Sequence, residues 1–472
     1  MEIPFVGATY QLKAKSFAVQ RCINWFPILS EMPNTKSVAA LQGTAGLSLY
    51  ATATGGIIRG GFTSTANRAF VVAGDKFTEI NTDGTETQHG TLNTSSGRVS
   101  ITESLTEIMV VDGTDGWVFT KATDTWAQIV DADFPTASFV TYQDGYFIVV
   151  EDGTQKFFIS AINDATSWDA LDFTSAESSP DALIAPFSDH GNLCLFGNRS
   201  VEVYQNTGSA SFPFERISGA IIQTGCASGH TIQKFDNTIT WLGIDEQGQG
   251  IVWKMDGYNA VRISTQAIEK RIAEVDDITD SYAWVYHEQG HIFYVLQVSG
   301  LDTTLVYDGS TGLWHERSYW NSVTGEKELH RGGCHFFFDG KNLVGDRENG
   351  KIYHMSLDYY SDNGDEIVSE RVSPHLQSEK ELIPFSSFEL DMEVGVGLTT
   401  GQGSDPQIMM QYSDDGGHTW SSELWRDIGA KGKYGTRVVW RQLGSGRDRV
   451  WKVRISDPVF RQINKAFING KA

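Results

Sequence analysis

His287-Glu288-Gln289-Gly290-His291 carries the letters of a zinc hydrolase in this 472-residue chain. H-E-x-x-H works on a helix, where both imidazoles project from one face toward the metal and the glutamate serves as base. Here the pentapeptide joins two apolar runs, SYAWVY (281–286) and HIFYVLQV (291–298), with Gly290 between them. That layout predicts a hairpin turn and no metal site. Cys22, Cys194, Cys226 and Cys334 contain no CxxC pair, which leaves buried thiols of a reducing cytosol in place of a disulfide framework or a zinc knuckle. There is no nucleophile elbow, Walker loop or Rossmann fingerprint, and Asn363-Gly364-Asp365 is too short for an EF-hand loop. Of the 59 Asp and Glu, 13 sit directly beside Gly, a turn setting where their role is local hydrogen bonding. A glycosidase needs two carboxylates facing across a cleft, and nothing singles out such a pair. The expectation is a protein with no catalytic residues, no cofactor and no metal.

Two further patterns bear on structure and partners. Ser413, Asp415, Gly417, Thr419 and Trp420 fit S-x-D-x-G-x-T-W, which resembles the Asp-box turns of sialidase propellers. The resemblance implies a folding device, with Ser and Asp capping backbone groups and Trp packed beneath the turn; a single copy predicts one stable hairpin. The chain is acidic overall, at −22, but unevenly so. Residues 431–472 carry eleven Lys and Arg against two Asp, a local +9; residues 1–36 carry +2, and 37–430 carry −33. Arg437, Arg441, Arg447, Arg449, Lys452, Arg454, Arg461 and Lys465 supply most of the basic end. Strand alternation in RVWKVRIS puts Lys452 and Arg454 on one face and Arg449 on the other, so no single basic face forms. A solvated strand face or a dock for an acidic partner is favoured over specific DNA binding, which the acidic body opposes.

The elements that carry these residues are β-strands. Residues 107–130, EIMVVDGTDGWVFTKATDTWAQIV, read as a three-stranded meander with Asp-Gly turns at 112–113 and 115–116. Comparable units start near Arg59, Val99, Ser138, Asp181, His230, Ser281 and Arg331, close to the forty-odd residues of a propeller blade. The fold class is therefore all-β: a β-propeller over 56–373, with seven blades favoured and six as the alternative, and a helical insertion at 264–275. Residues 1–55 lack a clean period and are broken by Pro4, Pro27 and Pro33; they read as an assembly arm. Trp25, Phe26 and Ile28 in that arm need a covering surface, from the chain itself or from another subunit. Residues 374–472, with alternating runs at 385–394, 407–413, 436–443 and 449–456, form a C-terminal β-sandwich-like domain. Hydrophobic content of 40% with 48 glycines and 11 prolines fits a folded, turn-rich β chain. No run approaches 18 apolar residues and the N-terminus lacks a signal-peptide core, so neither a membrane span nor that secretion route is expected.

Several stretches together resemble one family. QRCINWFPILSE (20–31), LQGTAGL (41–47), RISTQAIE (262–269) and RVVWRQLGSGRDRVWKVRISDP (437–458) are similar to the packaged-DNA stabilisation proteins of short-tailed phages, the tail hub or nozzle proteins. The likeness runs over the whole chain, with Ala45 standing where the family's turn carries Pro. It implies a structural virion tail subunit made and assembled in the host cytoplasm. It further implies a hexameric ring of this chain below the portal and its adaptor ring, contacts with the tail needle or plug and with tailspikes, and retention of packaged DNA until ejection. Double-stranded DNA would pass through without sequence-specific binding, and an acidic wall would give it little to adhere to. A glycan-binding or glycan-cleaving propeller of the sialidase type is the alternative.

Overall fold

The computed structural model describes residues 1–32, 34–176, 181–209, 211–245 and 247–469. Seven four-stranded antiparallel sheets follow one another around a closed ring. Their first strands begin at Ile58, Ser100, Val140, Leu183, Gln233, Tyr282 and Gly332, within three residues of the starts expected from the sequence. Blades 1 to 6 are continuous meanders. Blade 7 is composite: Gly332–Phe338, Lys341–Asp346 and Lys351–Ser356 supply three strands, and Gly46–Thr52 from the N-terminal region pairs antiparallel with the third. The chain thus closes its propeller with its own beginning, so that part of the expected arm is a blade strand.

Local chemistry explains the repeat. Each blade is covered by a neighbour on both sides, so its second strand is a nearly continuous apolar run with little alternation. Ala69–Ala73 is buried throughout, and Glu107–Val111, Tyr146–Val150 and Asn192–Gly197 are buried beyond their first residue. The turns use the Asp-Gly and Asn-type residues that tolerate left-handed backbone. At Asp339-Gly340 both residues have positive φ, 50° and 69°, as a two-residue hairpin needs. Gly116 and Gly309 do not adopt such angles; Gly116 opens a strand, and Gly309 packs against Phe235 and Ile292. The inserted helix is short, Gln266–Ile272, capped by Thr265, whose hydroxyl accepts from the Ile268 amide. Ile268 and Ile272 bury against blades 5 and 6, with Val275 packed beside them.

The C-terminal part is a two-sheet sandwich into which the N-terminus is woven. One sheet runs Trp25–Leu29, Ala39–Gly43, Gln462–Asn469, Ser387–Met392, Val438–Arg441, with Glu2–Ile3 also paired to Gln462–Asn469. Pro27 does not interrupt a strand here; it lies on the edge strand, where a missing donor is tolerated. Pro33 lies outside the described residues. The other sheet continues blade 6. Ile23 of the strand Val19–Ile23 pairs with Glu316 of the last blade 6 strand, and Arg21–Ile23 pairs with Ser369–Val372 on its other side. Asp448–Ile455, Gln407–Ser413 and Leu424–Asp427 follow. Trp25, Phe388, Trp440 and Trp451 fill the core between the sheets.

Candidate assembly surface

The adjacent residues Trp25 and Phe26 point to opposite sides of one strand. Trp25 enters the sandwich core, while Phe26 enters the propeller core edge-on to Phe293. Both have zero exposure. They are therefore corrected from candidate assembly contacts to rivets inside the chain, while Ile28 is half-buried beside the Phe26 cluster.

Between these cores lies a buried ion network. Arg21 donates through Nε to Glu316 Oε1 at 3.1 Å and through Nη2 to Oε2 at 2.5 Å, and the Thr9 and Thr303 hydroxyls also donate to this carboxylate. Arg271 of the helix pairs with Asp302 and Glu274. Glu370, on the sandwich side, takes Lys327 at 3.2 Å and Arg454 at 2.9 Å. Burial alone would raise the Glu316 carboxyl, but the Arg21 charge and hydrogen bonds, with Arg271 and Thr303, hold it down at about 2. Glu370 is held down at about 2 in the same way, with Lys327, Arg454 and Arg21 outweighing burial.

The basic end is spent largely on this chain's own carboxylates. Arg449 is buried, grips Asp414 through Nε at 2.6 Å and Nη2 at 2.7 Å, and lies over the Tyr412 and Phe385 rings. Arg437 holds Glu389 in a two-point contact and Lys465 holds Glu2 at 2.9 Å. Arg454 bridges Glu370 and Glu423, and Lys452 sits 4.2 Å over the Trp420 ring. Arg461 is enclosed near Asp362, whose carboxyl burial pushes up to about 7 although the Arg461 charge opposes it. Arg449 and Arg461 thus also face inward and are withdrawn from the candidate interface. Arg447 donates to the Lys380 carbonyl at 2.7 Å, and Arg441 is exposed. The acidic partner of the basic end is mostly the acidic body itself.

The Asp-box is formed as a turn. Asp415 Oδ1 accepts from the His418 and Thr419 amides, both at 2.9 Å, and Oδ2 from the Thr419 hydroxyl at 2.6 Å. Gly417 N donates to Ser413 Oγ at 2.8 Å. The Thr419 and Ser413 hydroxyls, followed by backbone amides, hold the Asp415 carboxyl far below the usual range. Trp420 packs on Val19, Val372 and Val450, so the turn props the arm strand. His287 to His291 is the tip of a hairpin, with Glu288 opposite His291 and positive φ at Gln289 and Gly290. Glu288 accepts from the Leu357 amide and His291 Nδ1 contacts Asp308 at 2.8 Å, so Glu288 and His291 serve separate local contacts.

A different surface went unread in the sequence. The hairpin of Trp25–Leu29 and Ala39–Gly43 exposes Leu29 at its strand end and Met32 and Val38 in its loop, at 51%, 70% and 84%. Its base is riveted by Trp25, Phe26 and Leu41, and its flank is tied by Lys36 to Asp391 at 2.6 Å and by Ser37 to the Asn464 carbonyl. The signal was there in three apolar residues spaced through an otherwise polar stretch.

These features define a class: a closed propeller and a β-sandwich welded by a shared N-terminal segment that carries an exposed apolar hairpin. The chain belongs to the Bacteriophage P22 Gp10 family of phage stabilisation proteins, whose β-propeller model matches residues 1–360 and whose β-sandwich model matches 369–471. No curated protein matches the chain. Among solved structures, the extracellular domain of a putative hybrid two-component system, BT4673 of B. thetaiotaomicron, aligns at 8% identity and TM-score 0.45, over 65% of this chain and 39% of its own. The extracellular domain described as the putative one-component system BT4673 of the same organism aligns at 10% identity and TM-score 0.44, over 85% and 48%. The chain therefore spans less than half the length of either, and these likenesses carry no argument about function.

Proposed function

We propose that this phage stabilisation protein is a structural subunit of the virion tail that assembles as a ring below the portal and its adaptor, extends the DNA channel, holds the tail plug and retains packaged DNA until ejection. The mechanism is mechanical and uses no catalytic centre. The observation that carries the reading, beside family membership, is the apolar hairpin on a rigid base. A flexible loop would have to be ordered on binding, at a cost in entropy, whereas this one is already held. Covering Leu29, Met32 and Val38 in a neighbouring subunit would contribute about 1.5–3 kcal/mol for each fully buried side chain. Arg441, exposed on the same sheet, belongs to the candidate contact area.

The test has two arms. Val38→Asp and Met32→Asp should leave thermal unfolding of the isolated chain unchanged while sedimentation shows loss of rings, alone or with the adaptor. In a phage lacking the protein, heads should fill with DNA and then empty. Particles that stay filled and fail only in host attachment would overturn the proposal and favour the glycan-directed alternative.

A further inference from the structure

The axis of the propeller is chemically unlike the rest of the molecule. The first strands of all seven blades surround a channel of about 350 Å³. In a chain with 59 acidic residues, none of the described residues lining it is Asp or Glu. Its charged and titratable lining is Arg59, Arg98, His230 and His335, with Cys334 the remaining thiol. Arg59 is well partnered: its guanidinium makes four hydrogen bonds, to the Gly74, Thr94 and Gly97 carbonyls and to the Thr94 hydroxyl. That hydroxyl in turn donates to Asp112, which ties Arg59 into a charge-balanced cluster.

Arg98 is different. It lies two residues before the first strand of blade 2, and its guanidinium carbon lies 3.2 Å from the centre of the Tyr282 ring. Nη1 donates to the Gly333 carbonyl at 3.0 Å. Among the described residues it has no carboxylate partner, and burial lowers its pKa despite the attraction of Tyr282. A guanidinium has five N–H donors in a planar fork suited to oxyanions, and leaving one in a low-dielectric site without a counter-charge is costly. His230 lines the same channel; burial, aided by the Arg98 charge, holds it down at about 3, so the ring is neutral and has one N–H to donate. First strands are also sheet edges, which present unpaired backbone amides toward the axis.

We propose that the axial channel binds a small free oxyanion, a phosphate or carboxylate group, against the guanidinium of Arg98, with His230 and first-strand amides as further donors. The anion supplies the counter-charge the fold omits, and binding to the folded state alone stabilises the propeller by mass action. Neither the family assignment nor the ring proposal requires this site.

Inorganic phosphate is the probe, titrated at fixed ionic strength and pH while the unfolding temperature is followed. The unmodified chain should gain a saturable rise of about 2 °C or more at a hundredfold excess over the dissociation constant. Arg98→Met keeps the stem over Tyr282 and removes the cation; its rise should vanish. Equal rises in both proteins, or none in either, would overturn the proposal. Should Arg98→Met fail to fold, crystals of the unmodified chain soaked in bromide decide the matter. An anomalous peak beside the Arg98 guanidinium supports the site, and peaks elsewhere alone overturn it.

Discussion

The seam that closes the propeller and the seam that joins it to the sandwich are built from opposite materials. Where blade 7 meets blade 1, Ile58, Val71, Phe336, Leu343 and Ile352 pack together, and Gly61 leaves room for the Phe336 ring. Where blade 6 meets the sandwich, Arg21, Glu316, Lys327, Glu370 and Arg454 form a buried ion network around one continuous sheet. An apolar seam is non-directional and indifferent to pH, whereas a charged one fixes orientation and depends on every partner being present. The propeller is thus built to close, and the junction to hold the two parts at one angle.

The largest expected effect lies on the apolar side. Leu47 is in the closing strand and is 2% exposed; Leu49, two residues on, is 48% exposed. Leu47→Asp buries an unpaired charge in the apolar cluster that the closing strand shares with Phe26, Trp284 and Met355, and should abolish a cooperative melt followed by circular dichroism. Leu49→Asp should change stability by no more than about 0.5 kcal/mol. Equal damage from both would show that the strand closes the ring through backbone pairing alone.

On the charged side, Glu316→Gln leaves Arg21 short of its main partner and should cost about 3 kcal/mol in denaturant unfolding. Acid should do the same more gradually. Glu316 and Glu370 are held at about 2 against an ordinary 4.5, so their stabilisation is complete above pH 4.5 and is lost as pH falls toward 2. Asp362 has the opposite sign. Raised from 3.8 to about 7, it favours the folded state most at low pH, and that contribution fades as pH rises through this interval. Limited proteolysis at pH 3 should therefore separate sandwich from propeller before the blades open; simultaneous digestion would contradict the distinction between the seams.

The same contrast explains what the sequence made legible. Blades repeat because each must bury two faces, so continuous apolar runs and Asp-Gly turns marked seven units with starts close to the observed ones. The junction is made of pairings hundreds of residues apart, such as Arg21 with Glu316, and no local pattern encodes them. The basic end looked like an external dock because its partners Asp414, Glu389 and Glu2 are scattered along the chain. The strand Gln462–Asn469 was unread because its buried face changes parity, from Ile463 to Ala466 and Ile468, across an irregularity opposite Asp391 and Met392. Leu29, Met32 and Val38 escaped because isolated apolar residues have no periodicity to betray them.

The smallest effect should come from Asp415→Ala, which probes whether the Asp-box turn belongs to the junction or only decorates it. Asp415 organises the His418 and Thr419 amides, while Trp420 beside it packs on Val19 and Val372, the flank of the strand pair that welds the two parts. The carboxylate is exposed, so its loss should barely move global unfolding, yet it removes the acceptor for two backbone amides. Hydrogen exchange should accelerate at His418 and Thr419 and, through Trp420, at Val19–Ile23, with blades 1 to 4 unchanged. Acceleration confined to 413–420 would make the turn a local cap and leave the ion network as the device that orients the sandwich on the propeller.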